Sequence, residues 1–142
     1  MSREKLLTKI SREVTTMDER VAKALETDRT IDITTTGRTS GSARRKEIWF
    51  HNLDGRLYIT GTPGPRDWYA NMIANPGFTF HLKGSVQADI PATARPITDA
   101  AERRPAFELI HAKLDGERDI DDWMARSPLV EVELDADNAQ VS

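Results

Sequence analysis

The residues best suited to binding an acidic ligand lie in a short turn between two β-rich runs. The small residues of the turn are Gly37, Ser40, Gly41 and Ser42, and the cations in and just after it are Arg38, Arg44, Arg45 and Lys46. Glycine-rich turns can present backbone N–H groups to an anion, and arginine donates paired hydrogen bonds to phosphate or carboxylate. Because the whole chain has a net charge of −3, we expect this local group of cations to bind an acidic ligand. The alternative is a solvated β-turn with ordinary surface cations.

A second glycine-containing loop, residues 61–66, leads into a predicted helix. The free N–H groups and the positive dipole end of a helix start attract anions. Trp49, Trp68 and Tyr69 lie close to the two loops in the sequence. Their rings can stack on a flat heterocycle, although packing in the core is the commoner use of aromatic side chains. The loops and rings together favour a site for a flat, acidic cofactor.

The composition excludes several other kinds of chemistry. The 142-residue chain has no cysteine, so thiolate nucleophiles and Cys-ligated metals are excluded. Its histidines, His51, His81 and His111, have no metal-ligand spacing, and we expect no metal site. The sequence contains no Gly-x-Ser-x-Gly elbow and no Walker or dinucleotide fingerprint. We therefore expect any reactive chemistry to come from a borrowed cofactor.

Charge and hydropathy limit the partners and the location. The negative net charge argues against a nucleic-acid partner, because phosphate binding needs a basic surface. No apolar run approaches the ~20 residues of a membrane-spanning helix, and no signal peptide is recognisable, so we expect a cytoplasmic protein without a transmembrane segment.

Apolar residues recur at spacings of three and four over residues 3–26, which predicts an amphipathic helix. Packing of this helix on a β-core is favoured, and peripheral contact with a membrane is the alternative.

The pattern changes from helical periodicity to alternation at Thr30. Strands are predicted at residues 31–36, 47–52, 56–60, 78–82, 85–96 and 129–134, and helices at 67–75, 98–114 and 121–126. Asp54-Gly55 is typical of a type I′ hairpin, and Asp67 and Thr98 are predicted N-caps. The pattern predicts one α+β domain, in which an N-terminal helix (residues 1–29) packs on a six-stranded, mainly antiparallel sheet (residues 30–142) closed into a barrel.

Five motifs in this order resemble the deazaflavin-dependent nitroreductase family. They are Thr35-Thr-Gly-Arg-Thr-Ser-Gly-x-x-Arg44, the strand end Ile48-Trp49-Phe50, the Asp54-Gly55 hairpin, the loop of residues 61–65, and Trp68-Tyr-x-Asn71 ending in Ala74-Asn-Pro76. The resemblance covers residues 30–90 and extends more loosely to the final strand. It implies a split β-barrel, use of coenzyme F420, and hydride transfer to an electron-poor acceptor such as a quinone, nitro-aromatic or unsaturated lactone.

The resemblance also implies roles for individual residues. The cofactor-binding residues it implies are Arg38, Thr39, Ser40, Arg44, Glu47, Ile48, Trp49, Thr60, Thr62, Gly64, Trp68 and Asn71. In this set, the Arg38–Arg44 turn faces the phosphate and oligoglutamate tail, and Glu47, Ile48 and Trp49 lie along the deazaflavin ring. For catalysis we expect Trp49 to wall the ring and Tyr69 to act as a weak proton donor. Split barrels of this kind commonly share their cofactor pocket with a second subunit, which implies a homodimer.

The sequence departs from the family pattern at three places. The family's Arg-Lys-x-Gly turn reads Arg38-Thr39-Ser40-Gly41, its Ser-Lys-Gly-Gly loop reads Thr62-Pro63-Gly64, and Glu47 stands where proline is common. Two family lysines are therefore absent, and Arg45, Lys46 and Arg66 offer substitute cations. FMN, which carries fewer negative charges, remains the alternative cofactor. A non-catalytic split barrel that binds or carries a deazaflavin, FMN or a related anionic molecule remains the alternative function.

Overall fold

The first described element is a short helix packed on the barrel. The computed structural model describes residues 18–114, 116 and 118–142. The helix predicted over residues 3–26 therefore lies mostly outside the described residues. Within them, α1 spans Glu19–Thr27 and begins at its own N-cap, Asp18, so the prediction of a helix running unbroken through residue 18 is wrong. Asp18 caps α1 by accepting a hydrogen bond from the backbone N–H of Arg20. The apolar face of α1 is buried in the main core, as the amphipathic pattern predicts.

Eight strands form one antiparallel sheet. They are β1 (Thr30–Thr36), β2 (Ala43–Trp49), β3 (His51–Leu53), β4 (Arg56–Thr60), β5 (Gly77–Leu82), β6 (Ala88–Pro96), β7 (Leu129–Leu134) and β8 (Gln140–Val141). Their order is β2-β1-β5-β6-β7-β4-β3, with β8 paired to β6. The two end strands, β2 and β3, are separated in the chain only by Phe50. The sheet must therefore curl until its two edges approach each other, which gives the split β-barrel that the resemblance implies.

The strand count differs from the predicted six for two reasons. The predicted strand at residues 47–52 is divided at Phe50, whose N–H donates to the carbonyl of Arg29 instead of to a neighbouring strand. The Phe50 ring packs edge-on against Phe80, with 5.4 Å between the ring centroids. The two-residue β8 at the end of the chain adds the other strand. The strand predicted at residues 85–96 begins later, at Ala88.

The remaining helices are α2 (Asp67–Ala74), α3 (Ala100–Lys113), α4 (Ile120–Arg126) and a 3₁₀ turn (Ala136–Asn138). Both predicted N-caps are displaced to a neighbouring residue. Arg66 occupies the cap position of α2, so Asp67 is its first helical residue. Asp99, which follows Thr98, precedes α3, and its side chain makes no capping hydrogen bond.

The Asp54-Gly55 hairpin has the predicted turn. Asp54 has φ 55° and Gly55 has φ 93°, the positive values that a type I′ turn requires at both central residues. Leu53 pairs with Arg56 across it. The turn thereby fixes the register of β3 and β4 at one edge of the sheet.

Two apolar cores hold the barrel and its helices. The barrel interior is filled by fully buried side chains such as Ile33, Ile59, Phe80 and Met72. A second core, built around Phe107, joins α3 and α4 to the sheet. In the part of the chain that the structure describes, no helix is long and apolar enough to cross a membrane.

Candidate functional site

The register of β1 and β2 decides which cations face the barrel interior. Thr35 pairs with Arg44, and Ile33 pairs with Lys46. Directly opposed residues of an antiparallel pair project to the same face of the sheet. Because Ile33 and Thr35 are buried, Arg44 and Lys46 project on the inner side of the barrel at its open edge. Ile48, opposite the buried Ile31, lies on the same side.

These inner-side cations line a cavity of about 520 Å³ between β1, β2 and α2. Six of the predicted cofactor-binding residues line it, namely Arg38, Thr39, Ser40, Arg44, Trp68 and Asn71. Ile33, Thr35, Gly37, Arg45, Lys46 and Asp67 complete the lining. We call this space the turn cavity. The glycine-rich turn and the Trp68–Asn71 motif, which are distant in the chain, thus meet at one site.

Asn71 fastens the glycine-rich turn to α2. Its side-chain oxygen accepts hydrogen bonds from the backbone N–H and from Nη1 of Arg38, both at 3.0 Å. Its side-chain nitrogen donates to Oγ1 of Thr35 at 3.2 Å. Asn71 and Thr35 are both buried, so the clamp is shielded from competing water. The amide of Asn71 is therefore occupied mainly by protein partners.

The turn uses three of the six N–H groups of residues 37–42 in bonds of its own. Gly37 donates to the carbonyl of Ser42 at 2.8 Å, and Gly41 donates to the carbonyl of Gly37 at 2.9 Å. Ser42 donates to the hydroxyl of Ser40 at 3.1 Å. Gly41 has φ 70°, a left-handed conformation that glycine adopts without strain. These three N–H groups are therefore already bonded within the turn.

The charges on the two faces of β2 differ. Arg45, on the outer face, pairs with Asp32 at 2.9 Å, and Lys83 pairs with both Asp32 and Glu47. Hydrogen bonds from Lys83 and then Arg45 lower the pKa of Asp32. Arg44 and Lys46, in contrast, form no ion pair with any of the described residues. The outer face is thus locally neutralised, whereas the two positive charges of the inner face have no ion-pair partner among the described residues.

The other cation of the turn is only weakly compensated. Nη2 of Arg38 lies 3.4 Å from a carboxylate oxygen of Asp67, whose side chain is 92% exposed. An exposed pair of this length contributes little to stability. The guanidinium of Arg38 therefore remains available to an acidic ligand in the turn cavity.

Glu47, Ile48 and Trp49 do not present a common surface. Adjacent strand residues project to opposite faces, so Glu47 and Trp49 point outward and Ile48 inward. The Trp49 ring is 50% exposed, with the guanidinium carbon of Arg29 5.9 Å from its centroid. It borders a separate cavity of about 160 Å³. Within one chain, the three residues that the resemblance places along the deazaflavin ring thus project to two different faces of β2.

The second loop lies on the other side of α2. The hydroxyl of Thr60 is buried and donates to the carbonyl of Pro128. Thr62 accepts hydrogen bonds from Arg66 at its carbonyl and its hydroxyl. The N–H of Gly64 donates to the carbonyl of Arg126 at 3.1 Å. Gly64 and Tyr69 border a further cavity of about 470 Å³, so α2 divides the predicted site residues into two groups.

Sequence reasoning did not find the hydrogen-bonded row Thr34–His81–Asp89. The ring of His81 lies 2.7 Å from the hydroxyl of Thr34 and 2.7 Å from the carboxylate of Asp89. The three residues come from β1, β5 and β6, and the pairing of His81 with both Asp32 and Asp89 puts them on the outer face. The row ties three strands together outside the turn cavity. Among the described residues, no group of three or more His, Asp or Glu side chains is arranged to hold a metal ion.

Comparison with known proteins adds a family and several structural neighbours. The sequence model of the family described as F420H(2)-dependent quinone reductase matches residues 6–138. That match covers all of the described barrel strands except β8 and includes both glycine-containing loops.

Three solved structures illustrate the shared fold. A pyridoxamine 5′-phosphate oxidase-like protein from Listeria innocua is 13% identical, with TM-score 0.63 over 87% of this chain and 95% of the other. A protein described as an F420 reductase is 17% identical, with TM-score 0.61 over 83% and 94%. A FAD and haem binding protein from Mycobacterium smegmatis is 14% identical, with TM-score 0.66 over 89% and 71%. At these identities the likeness establishes the fold alone.

Proposed function

Because the chain belongs to the F420H(2)-dependent quinone reductase family, we propose that it transfers a hydride from reduced coenzyme F420 to an electron-poor acceptor. The acceptor classes proposed are quinones, nitro-aromatics and unsaturated lactones. The observation that carries the proposal is the pair of cations Arg44 and Lys46, which line a cavity of about 520 Å³ and form no ion pair with the residues that the structure describes. A family match alone would leave open whether this chain kept the means to hold an acidic cofactor.

The residues of the turn cavity fit such a cofactor. Coenzyme F420 carries a phosphate and a carboxylate-rich tail, and Arg38, Arg44 and Lys46 supply cationic donors for them. Asp67 is the only acidic residue among the described lining residues, and it faces solvent. Ile33 and Trp68 add apolar surface beside the cations. The donor set thus suits an anion attached to a flat apolar group.

Within this proposal each part of the cavity has a distinct task. When bound, the deazaflavin supplies the hydride. Arg44 and Lys46 bind the acidic part, and Asn71 holds Arg38 in place for the same purpose. Trp68 is almost fully buried and packs edge-on against Tyr69 at 6.0 Å between centroids. It therefore acts as a rigid wall, and orientation of the reactants is the main catalytic contribution.

The proton required after hydride transfer comes from solvent or from a weak donor. No histidine lies among the described lining residues of the turn cavity. Tyr69, the proposed donor, borders the cavity on the other side of α2. Solvent is the simpler source for a product held at the open edge of the barrel.

We also propose that the protein is a homodimer. Trp49 is half exposed on the outer face of β2, and a second subunit packed there would cover it. In such an assembly Trp49 would border the partner's cofactor, which reconciles its proposed catalytic role with its outward direction. Residues 30–142 would form the cofactor-binding unit, with residues 1–29 as the helix on its surface.

The test is turnover of reduced coenzyme F420 with one acceptor of each class, beside direct titrations with coenzyme F420 and FMN. The proposal expects saturable binding of coenzyme F420 and acceptor-dependent oxidation of its reduced form. Tight binding of coenzyme F420 without oxidation by any acceptor would show that the protein is a carrier and not an enzyme. Preferential binding and turnover of FMN would show that FMN is the cofactor, and the proposed reductase activity would stand.

A further inference from the structure

The cavity on the far side of α2 contains an unusual excess of positive charge. It has a volume of about 470 Å³ and lies between the second loop, α2 and α4. Arg66, Arg103 and Arg126 line it, and none of the described lining residues is acidic. We call it the arginine cavity. The chain carries a net charge of −3, so three arginines around one space are not a consequence of overall basicity.

Arg103 is the most deeply buried of these three cations, so its charge loses the most hydration. Its residue is only 8% exposed, and its guanidinium donates to the carbonyls of Ile97 at 2.7 Å and Ser127 at 2.8 Å. Two longer bonds reach the carbonyls of Met124 and Trp123. No carboxylate pairs with it among the described residues. Carbonyl dipoles solvate the charge but do not neutralise it, and a buried charge without a counter-ion is destabilising.

The partners of the other two arginines bring little negative charge to the cavity. Among the described residues, Arg66 is bonded only to oxygens of its own loop, those of Thr62, Gly64 and Pro65. Arg126 pairs with Asp122 at 2.6 Å. Three guanidinium groups thus have one carboxylate among the described residues. An anion in the cavity would supply a counter-charge that the described residues do not provide.

The walls indicate what kind of anion fits. Tyr69, Met124 and Pro128 add apolar and aromatic surface to the lining. Nη1 of Arg126 has no hydrogen-bond partner among the described residues. The nearby hydroxyl of Ser127 is buried and likewise lacks a described partner. The free donors are few, which suits a single carboxylate better than a phosphate dianion.

We propose that the arginine cavity binds a small organic carboxylate, with its charge near Arg103 and Arg126 and its apolar body against Tyr69 and Met124. This site is separate from the turn cavity, since α2 lies between the two. The binding does not depend on the proposed reductase activity, and it is tested without any cofactor.

The experiment is a titration of the isotope-labelled full-length protein with benzoate, followed by amide chemical shifts in nuclear magnetic resonance spectra. Benzamide, of the same size but uncharged, is the control ligand. The proposal expects saturable shifts centred on Tyr69, Ala125 and Ser127 with benzoate, weakened by added salt, and none with benzamide.

Two matched variants sharpen the result. Arg126→Gln removes a cavity cation that pairs with Asp122, whereas Arg104→Gln removes an exposed arginine that pairs with Asp121 and does not line the cavity. Benzoate affinity should fall about tenfold in the first variant and stay unchanged in the second. The absence of saturable shifts, equal affinity for both variants, or shifts confined to the turn of residues 37–44 would each overturn the proposal.

Discussion

Asn71 and Arg38 are joined twice, because one amide oxygen accepts both the backbone N–H and Nη1 of the arginine at 3.0 Å. The amide nitrogen of Asn71 is bonded to Thr35. One buried side chain therefore connects the start of the glycine-rich turn, strand β1 and helix α2. In this account Asn71 positions the cation that meets the ligand and does not itself need to touch the ligand.

We predict that Asn71→Ala weakens binding of coenzyme F420 on the order of tenfold and also lowers stability. Loss of a buried acceptor that bonds a charged group costs about 1–3 kcal/mol. Cofactor titration and urea unfolding measure the two effects separately. Turnover at saturating cofactor should stay near that of the unmodified protein, since Asn71 is not proposed to touch the reacting atoms.

Asn75→Ala is the matched control for that variant. Asn75 directly follows α2 and does not line the turn cavity. Its replacement should leave cofactor affinity unchanged. If Asn71→Ala binds coenzyme F420 as tightly as the unmodified protein, the positioning role is wrong, whatever the loss of stability.

We predict that the protein sediments as a dimer, with twice its chain mass of 16.0 kDa. The half-exposed Trp49 on the outer face is the side chain we expect the second subunit to cover. Its indole emission should shift to shorter wavelength as the protein is concentrated through the association range. A monomeric species that still binds coenzyme F420 at working concentrations would contradict the shared pocket.

Trp49→Ala is predicted to slow oxidation of the reduced cofactor more than Tyr69→Phe does. The reason is that Trp49 is proposed to wall the deazaflavin ring, whereas water can replace Tyr69 as proton donor. Single-turnover rates of the two variants at saturating cofactor give the comparison. A larger loss in Tyr69→Phe would move the catalytic role to the tyrosine.

Much of the barrel could be predicted from local patterns, but the division of the site could not. The Asp54-Gly55 turn and the alternating strands depend on neighbours in the chain, so the sequence displays them. The break at Phe50 depends on a hydrogen bond to Arg29, which precedes β1, and no local pattern encodes it. The contact between Asn71 and Arg38 likewise joins two positions that are distant in the chain.

The direction of Trp49 was predictable in principle. Alternation along β2 places Arg44, Lys46 and Ile48 on one face and Arg45, Glu47 and Trp49 on the other. The family resemblance implies one ligand surface for Glu47, Ile48 and Trp49, although neighbouring strand residues alternate between the two faces of the sheet. Which face is the inner one depends on the burial of Ile33 and Thr35 in the assembled barrel, and that becomes visible only with β5 and α2 in place.

His51 should make the protein less stable in mildly acidic solution. Burial, and then the charges of Lys113, Arg29 and His111, lower the pKa of His51 from 6.5 to about 4. The unfolded chain therefore takes up the proton at higher pH than the folded protein does. The stability that depends on neutral His51 is fully present above pH 6.5 and is lost as the pH drops from about 6.5 towards 4.

The measurement is the free energy of unfolding in urea at pH 7 and pH 4.5, for the unmodified protein and for His51→Gln. The unmodified protein should lose about 2 kcal/mol more than the variant over this interval, since one pKa unit corresponds to about 1.4 kcal/mol. The pKa values of Asp32 and Glu102 are lowered in the folded protein, so the stability that these carboxylates contribute is lost mainly at still lower pH. Parallel losses in both proteins would show that His51 is not the group responsible.

The most direct test of the account compares two neighbouring arginines in titrations with coenzyme F420. Arg44 lies on the inner face without an ion pair among the described residues. Arg45 also borders the turn cavity, but its side chain projects to the outer face and pairs with Asp32. Arg44→Gln should weaken binding about tenfold or more, because a charge-assisted hydrogen bond contributes roughly 1.5–3 kcal/mol, with little change in the thermal midpoint of the cofactor-free protein. Arg45→Gln should bind nearly as tightly as the unmodified protein. Equal losses in the two variants, or no loss in Arg44→Gln, would contradict the assignment of the turn cavity as the cofactor site.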